Sequence, residues 1–202
     1  MLAEHLLAWS ADLARRDRAL VTNLVYGVLR HRARLDALID AVADRPDRLS
    51  ARVRTILRLG VFELRELGHP AHVAISQIQG LRETFDPRGA LRGLVQAVLA
   101  GVDREGAAID ARHAGAKPLD ARAQRWSIPR WLAGRMLKQL GPEGALARAQ
   151  ALAVPPSVDL RVDVGRIDAA TVIAALTEAD PKLVIETVPN QPQALRVRSG
   201  GE

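Results

Sequence analysis

Residues 50–67, SARVRTILRLGVFELREL, carry apolar side chains at the spacing of a helix that is buried over most of its surface. Steps of three and four residues place the apolar positions on one face, and further apolar side chains flank that face. Ser50 can cap the first turn, and Gly68 followed by Pro70 ends the helix. Because other elements must cover so apolar a helix, we predict that it is the central helix of a bundle.

Two polar side chains lie on apolar faces, and each has a structural and a binding interpretation. Glu63 is part of the central helix, and His31 lies on the apolar face of the helix before it. We predict that Glu63 lies at the edge of the core, bonded to a backbone amide or an arginine, rather than binding a partner. We predict that His31 is a hydrogen-bonded histidine at the core edge rather than a ligand.

The helical pattern continues on both sides of the central helix. Further helices are predicted over residues 2–13, 17–43, 72–85 and 90–100. The second of these is one long helix, bent near Gly27, and the last is ended by Gly101. Residues 86–89, DPRG, are predicted to form a turn. Five helices joined by short loops predict an all-α bundle.

The second half of the chain has a different pattern. Residues 102–124 are weakly periodic, and we place a linker at 113–124 between a domain of residues 1–112 and a small α/β subdomain of residues 125–202. Ser127 is predicted to cap a helix that Gly141 ends, and a second helix follows. Apolar residues then alternate with polar ones, which predicts strands. The order is helix-helix-β-α-β-β, so the fold class is mainly α with a small α/β part.

The composition excludes several kinds of site. Of the 202 residues, 48% are apolar and only 3% aromatic, so the core must be aliphatic. The absence of cysteine excludes disulfides, cysteine-bound zinc and a cysteine nucleophile, and it fits a reducing cytoplasm. The N-terminal sequence predicts no signal peptide, and no apolar run approaches the ~20 residues of a membrane span. We therefore expect a cytoplasmic protein with no membrane partner.

The positive charge is concentrated in one stretch. The net charge is +6, and residues 15–58 hold eleven arginines and five aspartates, which accounts for the whole excess. This concentration favours a polyanion, most simply nucleic acid, over a solvated helix face. Arg16, Arg30 and Arg34 are expected to share one sector of the long helix. The candidate RNA-binding side chains are Arg15, Arg16, Arg18, Arg30, Arg32, Arg34, Arg52 and Arg54.

No motif for catalysis is present. The chain lacks the patterns GxGxxG, GxxxxGK(S/T), HExxH and GxSxG. His69 and His72 lie three residues apart, but no third metal ligand is near them in the sequence. We therefore assign no catalytic, cofactor-binding or metal-binding residue, and we predict binding rather than turnover.

Several stretches occur in an order that resembles a known family. They are DRALVTNLVYGVLRHRARLDALI (17–39), RTILRLGVFEL (54–64), HPAHVAISQIQGLRETF (69–85) and RGLVQAVL (92–99). Together they resemble the NusB-type RNA-binding domain, an all-α bundle found in antitermination factors and at the N-terminus of the Sun/Fmu (RsmB-type) rRNA methyltransferases. Residues 125–163, RWSIPRWLAGRMLKQLGPEGALARAQALAVPPSVDLRVD, resemble the segment that follows the bundle in the methyltransferases and that simple antitermination factors lack.

The resemblance implies a function for the chain and also implies that the catalytic domain is not part of it. In the methyltransferases a Rossmann-like domain follows, which binds S-adenosylmethionine and uses two cysteines to methylate carbon 5 of a cytosine in small-subunit rRNA. This chain ends before such a domain, so we expect a truncated gene product or a fragment that holds no cofactor itself. The resemblance therefore implies the rRNA-recognition portion of a methyltransferase, without its catalytic domain.

Two other functions remain open from the sequence. One is a NusB-like antitermination factor that binds RNA and a ribosomal protein, and the other is a protein-interaction module that does not bind RNA. A separate methyltransferase domain is a further possible partner. Trp126 and Trp131 either stack on a base or, as we favour, pack the linker against its neighbour.

Overall fold

The computed structural model describes residues 5, 8–81, 89–115 and 118–199. The chain forms two compact units, Met1–Ala153 and Val154–Glu202. The first unit contains helices α1 (Arg15–Arg30), α2 (Arg32–Val42), α3 (Ala51–Arg65), α4 (Ala71–Gly80), α5 (Arg92–Gly115), α6 (Leu119–Trp126) and α7 (Arg130–Ala153). The second contains β1 (Val158–Arg161), α8 (Ala169–Ala179), β2 (Leu183–Val188) and β3 (Gln191–Ser199). The predicted fold class, mainly α with a small α/β part, is confirmed.

Helix α3 lies in the core of the first unit, as its sequence predicts. The Ser50 hydroxyl accepts a hydrogen bond from the backbone N–H of Val53 at 3.3 Å, which caps the first turn. Gly60 allows a close approach, since a Cβ there would lie 2.9 Å from Leu99 and 3.0 Å from Ile78. These neighbours belong to α5 and α4, so α3 is covered by several helices.

The predicted long helix over residues 17–43 is wrong, because the structure has two helices separated at His31. The backbone of His31 has φ −98° and ψ 8°, which ends α1 at Arg30 and starts α2 at Arg32. Both helices pack on the same core. A Cβ at Gly27 would lie only 2.1 Å from the Phe62 ring. Because glycine has no side chain, α1 can approach α3 closely at this position.

Helix α5 does not end at Gly101 as predicted but continues to Gly115. Gly101 serves packing instead of termination, since a Cβ there would lie 3.2 Å from Cβ of Val42 in α2. Beyond it, Val102 and Ile109 are buried in the same core. The apolar face therefore extends past the glycine, and burial outweighs the glycine's low helix propensity.

Three predicted elements lie partly outside the described residues. Residues 2–4, 6 and 7 of the helix predicted over 2–13 and residues 82–85 of the one predicted over 72–85 belong to this group. The predicted turn at 86–89 also lies there, apart from Gly89, whose φ is +70°. Among the described residues, 8 and 9 are helical but 10–13 form turns and a bend, so the first predicted helix does not extend to residue 13.

The stretch predicted as a linker contains the end of α5 and most of α6. Helix α6 packs on α7 through a small apolar cluster that includes Trp126, Leu132 and Met136. The predicted division at 113–124 therefore does not coincide with the division between compact units after Ala153.

Ser127 does not cap α7 as predicted. It ends α6 in the left-handed conformation with φ 50°, and α7 begins at Arg130. The predicted break at Gly141 is confirmed, because its φ of 69° and ψ of 178° interrupt α7 immediately before Pro142.

The second unit is a three-stranded antiparallel sheet in the order β1-β3-β2 with one helix. Asp168 caps α8, and its Oδ1 accepts from the backbone N–H of Thr171 at 2.9 Å. Leu195 at the centre of β3 is buried. The alternating pattern and the cap thus predict this unit correctly.

Candidate nucleic-acid interface

The eight candidate arginines lie on three helices and differ in what surrounds them. Four are on α1, two on α2 and two on α3. The structure exposes Arg15, Arg16, Arg32 and Arg52 and half-buries Arg18, Arg30, Arg34 and Arg54. Exposure and hydrogen-bond partners therefore decide which of them are available to a polyanion.

Arg34 is bound within the protein by two carboxylates. Its Nε donates to Oδ1 of Asp110 at 3.0 Å, and its Nη2 donates to Oδ2 of the same residue at 2.5 Å. Its Nη1 donates to Oε1 of Glu66. This two-pronged arrangement is the strong geometry for a guanidinium and a carboxylate. Arg34 therefore joins α2 to the end of α3 and to α5.

Asp110 gathers two further arginines. Arg65 Nη2 donates to its Oδ2 at 3.3 Å, and Arg125 Nη1 donates to its backbone oxygen at 2.9 Å. We call Arg34, Arg65, Glu66, Asp110 and Arg125 the Asp110 cluster. Asp110 is only 9% exposed. Burial alone would raise the pKa of Asp110, but the hydrogen bonds and charges of the arginines outweigh burial and lower it.

A backbone contact accompanies the Asp110 cluster. The backbone N–H of Arg34, in the first turn of α2, donates to the Ser127 hydroxyl at 2.9 Å. The first turn of a helix has N–H groups without helical partners, and Ser127 satisfies one of them. The left-handed Ser127 thus holds the start of α2 next to the end of α6.

A second group of ion pairs involves Arg54. Its Nη1 donates to Asp40 Oδ1 at 2.7 Å, and its Nη2 donates to the backbone oxygen of Pro46 at 3.0 Å. Arg58 binds Asp36 through two hydrogen bonds of 2.8 Å. These contacts hold α2 and the following loop against α3.

Arg18 is also engaged within the chain. Its Nη2 donates to the backbone oxygens of Ala11 at 2.9 Å and Leu13 at 3.2 Å. Arg15 and Arg52 are exposed, and each takes part in an interaction within the chain.

Arg16, Arg30 and Arg32 remain, and we call them the open arginines. Across residues 5, 8–81, 89–115 and 118–199, no hydrogen bond or ion pair of their guanidinium groups is present. Fourteen helical residues separate Arg16 from Arg30, which is roughly 20 Å along α1. The expected sector shared by Arg16, Arg30 and Arg34 is wrong, because the chain breaks at His31 and Arg34 binds Asp110.

Glu63 is more deeply buried than predicted and has different partners. It is 5% exposed, His69 Nδ1 lies 3.8 Å from its Oε2, and the side-chain amide of Gln77, oriented to satisfy both groups, donates to its Oε1 at 3.1 Å. Neither an arginine nor a backbone amide is among these partners. Burial raises the pKa of Glu63, and His69 offsets part of that rise.

His31 lies at the edge of the core as predicted, but its side chain makes no hydrogen bond within the described residues. It is half-buried, its ring centroid lies 6.1 Å from that of Phe62, and its Nε2 lies 4.0 Å from Glu66 Oε2. Burial lowers the pKa of His31. In the described part of the chain, no group of three or more His, Asp or Glu side chains is arranged to hold a metal.

The Asp110 cluster is not predicted from the sequence, although one sequence signal indicates it. Asp110 lies eight residues after Val102, on the apolar face of α5, and an acid at such a position requires a partner. Because the helix is predicted to end at Gly101, Asp110 is not recognised as part of its apolar face.

Comparison with known families assigns both halves of the chain. Residues 2–104 match the NusB family, which is slightly more than half of the 202 residues. The chain belongs to the NusB family. Residues 128–202, after the NusB domain, match the family described as "Methyltr_RsmF/B-like, ferredoxin-like domain". The second match includes α7, although α7 belongs to the same compact unit as the NusB domain.

Three similar proteins are all named ribosomal RNA small subunit methyltransferase B, two of them as probable. Ribosomal RNA small subunit methyltransferase B of Vibrio cholerae is 33% identical over 144 residues, 70% of this chain and 31% of the relative. The probable ribosomal RNA small subunit methyltransferase B of Synechocystis sp. is 29% identical over 191 residues, 92% of this chain and 41% of the relative. That of Bacillus subtilis is 27% identical over 165 residues, 81% of this chain and 36% of the relative. The chain thus spans about a third of the length of these relatives.

Within the described ranges, none of the helices combines the length and the apolar character that crossing a membrane requires.

Proposed function

We propose that this chain is the RNA-binding region of an rRNA (cytosine-5-)-methyltransferase and that it binds small-subunit rRNA in the cytoplasm. The observation that carries the proposal is the set of open arginines, Arg16, Arg30 and Arg32, on a NusB domain. Arginines without an internal partner are free to contact phosphate oxygens. The exposed Arg15 and Arg52 add to the positive surface.

The other three candidate arginines support this surface indirectly. Arg18, Arg34 and Arg54 each bind carboxylates or backbone oxygens of the chain itself. We assign them to holding α1, α2 and α3 in place, since each already donates at least two hydrogen bonds within the chain. The RNA contacts therefore belong mainly to the open arginines.

An antitermination factor that binds RNA and a ribosomal protein is the second candidate function. The match of residues 128–202 to a methyltransferase-associated domain favours the first candidate, because an antitermination role uses the NusB domain alone. A separate methyltransferase domain is accordingly the protein partner that we propose.

S-adenosylmethionine, the cofactor of such methyltransferases, does not fit the described residues. Nucleotide cofactors bind at the carboxyl ends of parallel strands, where a glycine-rich turn leads into a helix. The sheet here is antiparallel, and the segment from β1 to α8 has Gly165 as its single glycine. We predict no binding of S-adenosylmethionine to this chain, and heat on titration in a calorimeter would contradict that prediction.

RNA binding is tested by titrating the chain against a fluorescently labelled small-subunit rRNA fragment at several salt concentrations. Each lost phosphate contact lowers the slope of log affinity against log salt by about 0.7–0.9. The triple variant Arg16→Gln, Arg30→Gln, Arg32→Gln is expected to bind more weakly and to lose a slope of about 2–3.

The matched control removes the same charge from exposed positions on α5. It is the triple variant Arg92→Gln, Arg104→Gln, Arg112→Gln. If both triple variants bind RNA with the same affinity and slope, the open arginines are not the interface. If the wild-type chain does not bind the RNA at all, the proposed function is wrong.

A further inference from the structure

A cleft on α7 has the features of a site for single-stranded RNA. Gly141 breaks α7 with φ 69° and ψ 178°, so the helix consists of two segments at Arg130–Leu140 and Pro142–Ala153. Residues from both segments line a cleft of about 890 Å³. The lining residues include Trp131, Arg135, Leu140, Ala147, Arg148 and Ala151.

Trp131 is exposed in this cleft. It is 67% exposed, whereas Trp126 packs in the apolar cluster between α6 and α7. Of the two tryptophans considered from the sequence, Trp126 therefore has the packing role. Trp131 presents an indole ring beside Leu132 and Leu140, which line the same cleft. A flat aromatic surface next to an apolar wall suits the face of a nucleobase.

The charges around the cleft are complementary to RNA. Arg135 and Arg148, one from each segment, line it, and no carboxylate does. Both arginines are exposed, and within the part of the chain that the structure describes neither has a hydrogen bond or an ion pair. The one acid of α7, Glu143, lines a different cleft together with His113.

The cleft is linked to Arg32, one of the open arginines, by a short path through the hydrogen bond of Ser127. Ser127 binds the backbone of Arg34, and Arg34 is two residues from Arg32. Trp131 is four residues beyond Ser127, and each residue adds at most about 3.6 Å. The Cα atoms of Trp131 and Arg32 are thus within roughly 30 Å of each other, a span that several nucleotides can bridge.

We propose that this cleft holds an unstacked base of the RNA strand that the open arginines bind. Trp131 stacks on the base, and Arg135 and Arg148 contact the phosphates on either side of it. The inference rests on the proposed function, and it adds a second, base-dependent contact to the phosphate contacts of α1 and α2.

The test compares Trp131→Ala with Trp131→Phe in binding to a single-stranded RNA. Loss of one base–aromatic stack is expected to weaken binding between about 5-fold and 150-fold, and Phe is expected to restore most of it. The salt dependence of Trp131→Ala is expected to equal that of the wild type, because no charge is removed. Arg135→Gln with Arg148→Gln is expected to lower the salt slope by about 1.4.

The matched control is Leu146→Ala, an exposed apolar residue of α7 that lines the other cleft. A fully paired RNA duplex is a second control, because its bases are not available for stacking. Circular dichroism of each variant checks that the helices are retained.

The outcomes separate the two proposals. If the open-arginine variant weakens binding but Trp131→Ala binds as the wild type does, this inference is overturned while the proposed function stands. If Trp131→Ala leaves RNA affinity unchanged but abolishes binding of a separately expressed methyltransferase domain, the cleft is a protein contact and the inference is also overturned. If the wild type binds no RNA, both proposals fail.

Discussion

The Asp110 cluster and the open arginines use the same type of side chain in opposite surroundings. Arg34 and Arg32 are two residues apart on α2, yet Arg34 is held by Asp110 and Glu66 whereas Arg32 is exposed without a described partner. In the cluster, guanidinium groups join helices. On the surface, they are available to a polyanion. A high density of arginine therefore does not by itself mark a binding face, because acids elsewhere in the chain decide which arginines remain free.

The largest effect is expected from Asp110→Ala, which would leave Arg34 half-buried with only one of its two carboxylates. Removing one partner of a buried ion pair costs about 3–5 kcal/mol. Urea unfolding followed by circular dichroism measures the change. The control is Asp103→Ala on the exposed face of α5, for which a change within about 0.5 kcal/mol is expected. Equal losses of unfolding free energy in both variants would mean that the Asp110 cluster does not stabilise the fold more than an exposed acid does.

The same cluster predicts a dependence on pH. The pKa of Asp110 is lowered from its usual 3.8 in the folded protein. Its stabilising contribution is therefore fully present above that usual value and is lost as the pH falls through the lower, folded-state pKa. Wild type and Asp110→Asn are expected to differ most in unfolding free energy at neutral pH and to converge in strong acid. A difference that does not shrink with acid would exclude the carboxylate charge as its source.

A smaller effect is expected from Arg58→Gln. Arg58 binds Asp36 through two hydrogen bonds, and the Asp36 side chain is 24% exposed against 13% for Asp110, so the loss of Arg58 is expected to cost about 1–2 kcal/mol. A double-mutant cycle with Asp36→Asn isolates the pair. The coupling energy is expected to be smaller than that between Arg34 and Asp110, whose carboxylate is more buried, and the reverse order would show that burial of the carboxylate does not rank these pairs.

The smallest effect on stability is expected from the open arginines. Replacing Arg16, Arg30 and Arg32 with Gln is expected to change the unfolding free energy by about 0.5 kcal/mol or less at each position, since surface substitutions rarely do more. The same variant is expected to lose RNA affinity. A loss of stability as large as that of Asp110→Ala would mean that these side chains are part of the fold.

The sequence predicts the elements whose signals are local. The spacing of α3, the Ser50 and Asp168 caps and the break at Gly141 all follow from residues within a few positions of one another. The end of α1 at Arg30 does not, because no glycine or proline marks it. Gly101 has the local signal of a helix end, but the helix continues through it. The glycine is there because its small size allows close contact with Val42 on another helix.

The candidate site is likewise predicted only in part. Composition identified the basic stretch, and it named all three open arginines among eight candidates. It did not separate them from Arg34, because the partner of Arg34 is 76 residues away in the sequence. Nor did it identify Ser127 as a partner, since a serine before a proline-containing first turn has the local pattern of a helix cap.

The hydrogen bond from Arg34 to Ser127 joins residues that are 93 positions apart, and this separation has a consequence for synthesis. A ribosome adds about 5–20 residues per second, so roughly 5–20 s pass between the two residues. During that interval the start of α2 lacks its hydroxyl partner, and for most of it Arg34 also lacks Asp110. The first helices of the bundle therefore complete these contacts only after the later helices have been synthesised. A chaperone that protects nascent chains has that interval in which to bind.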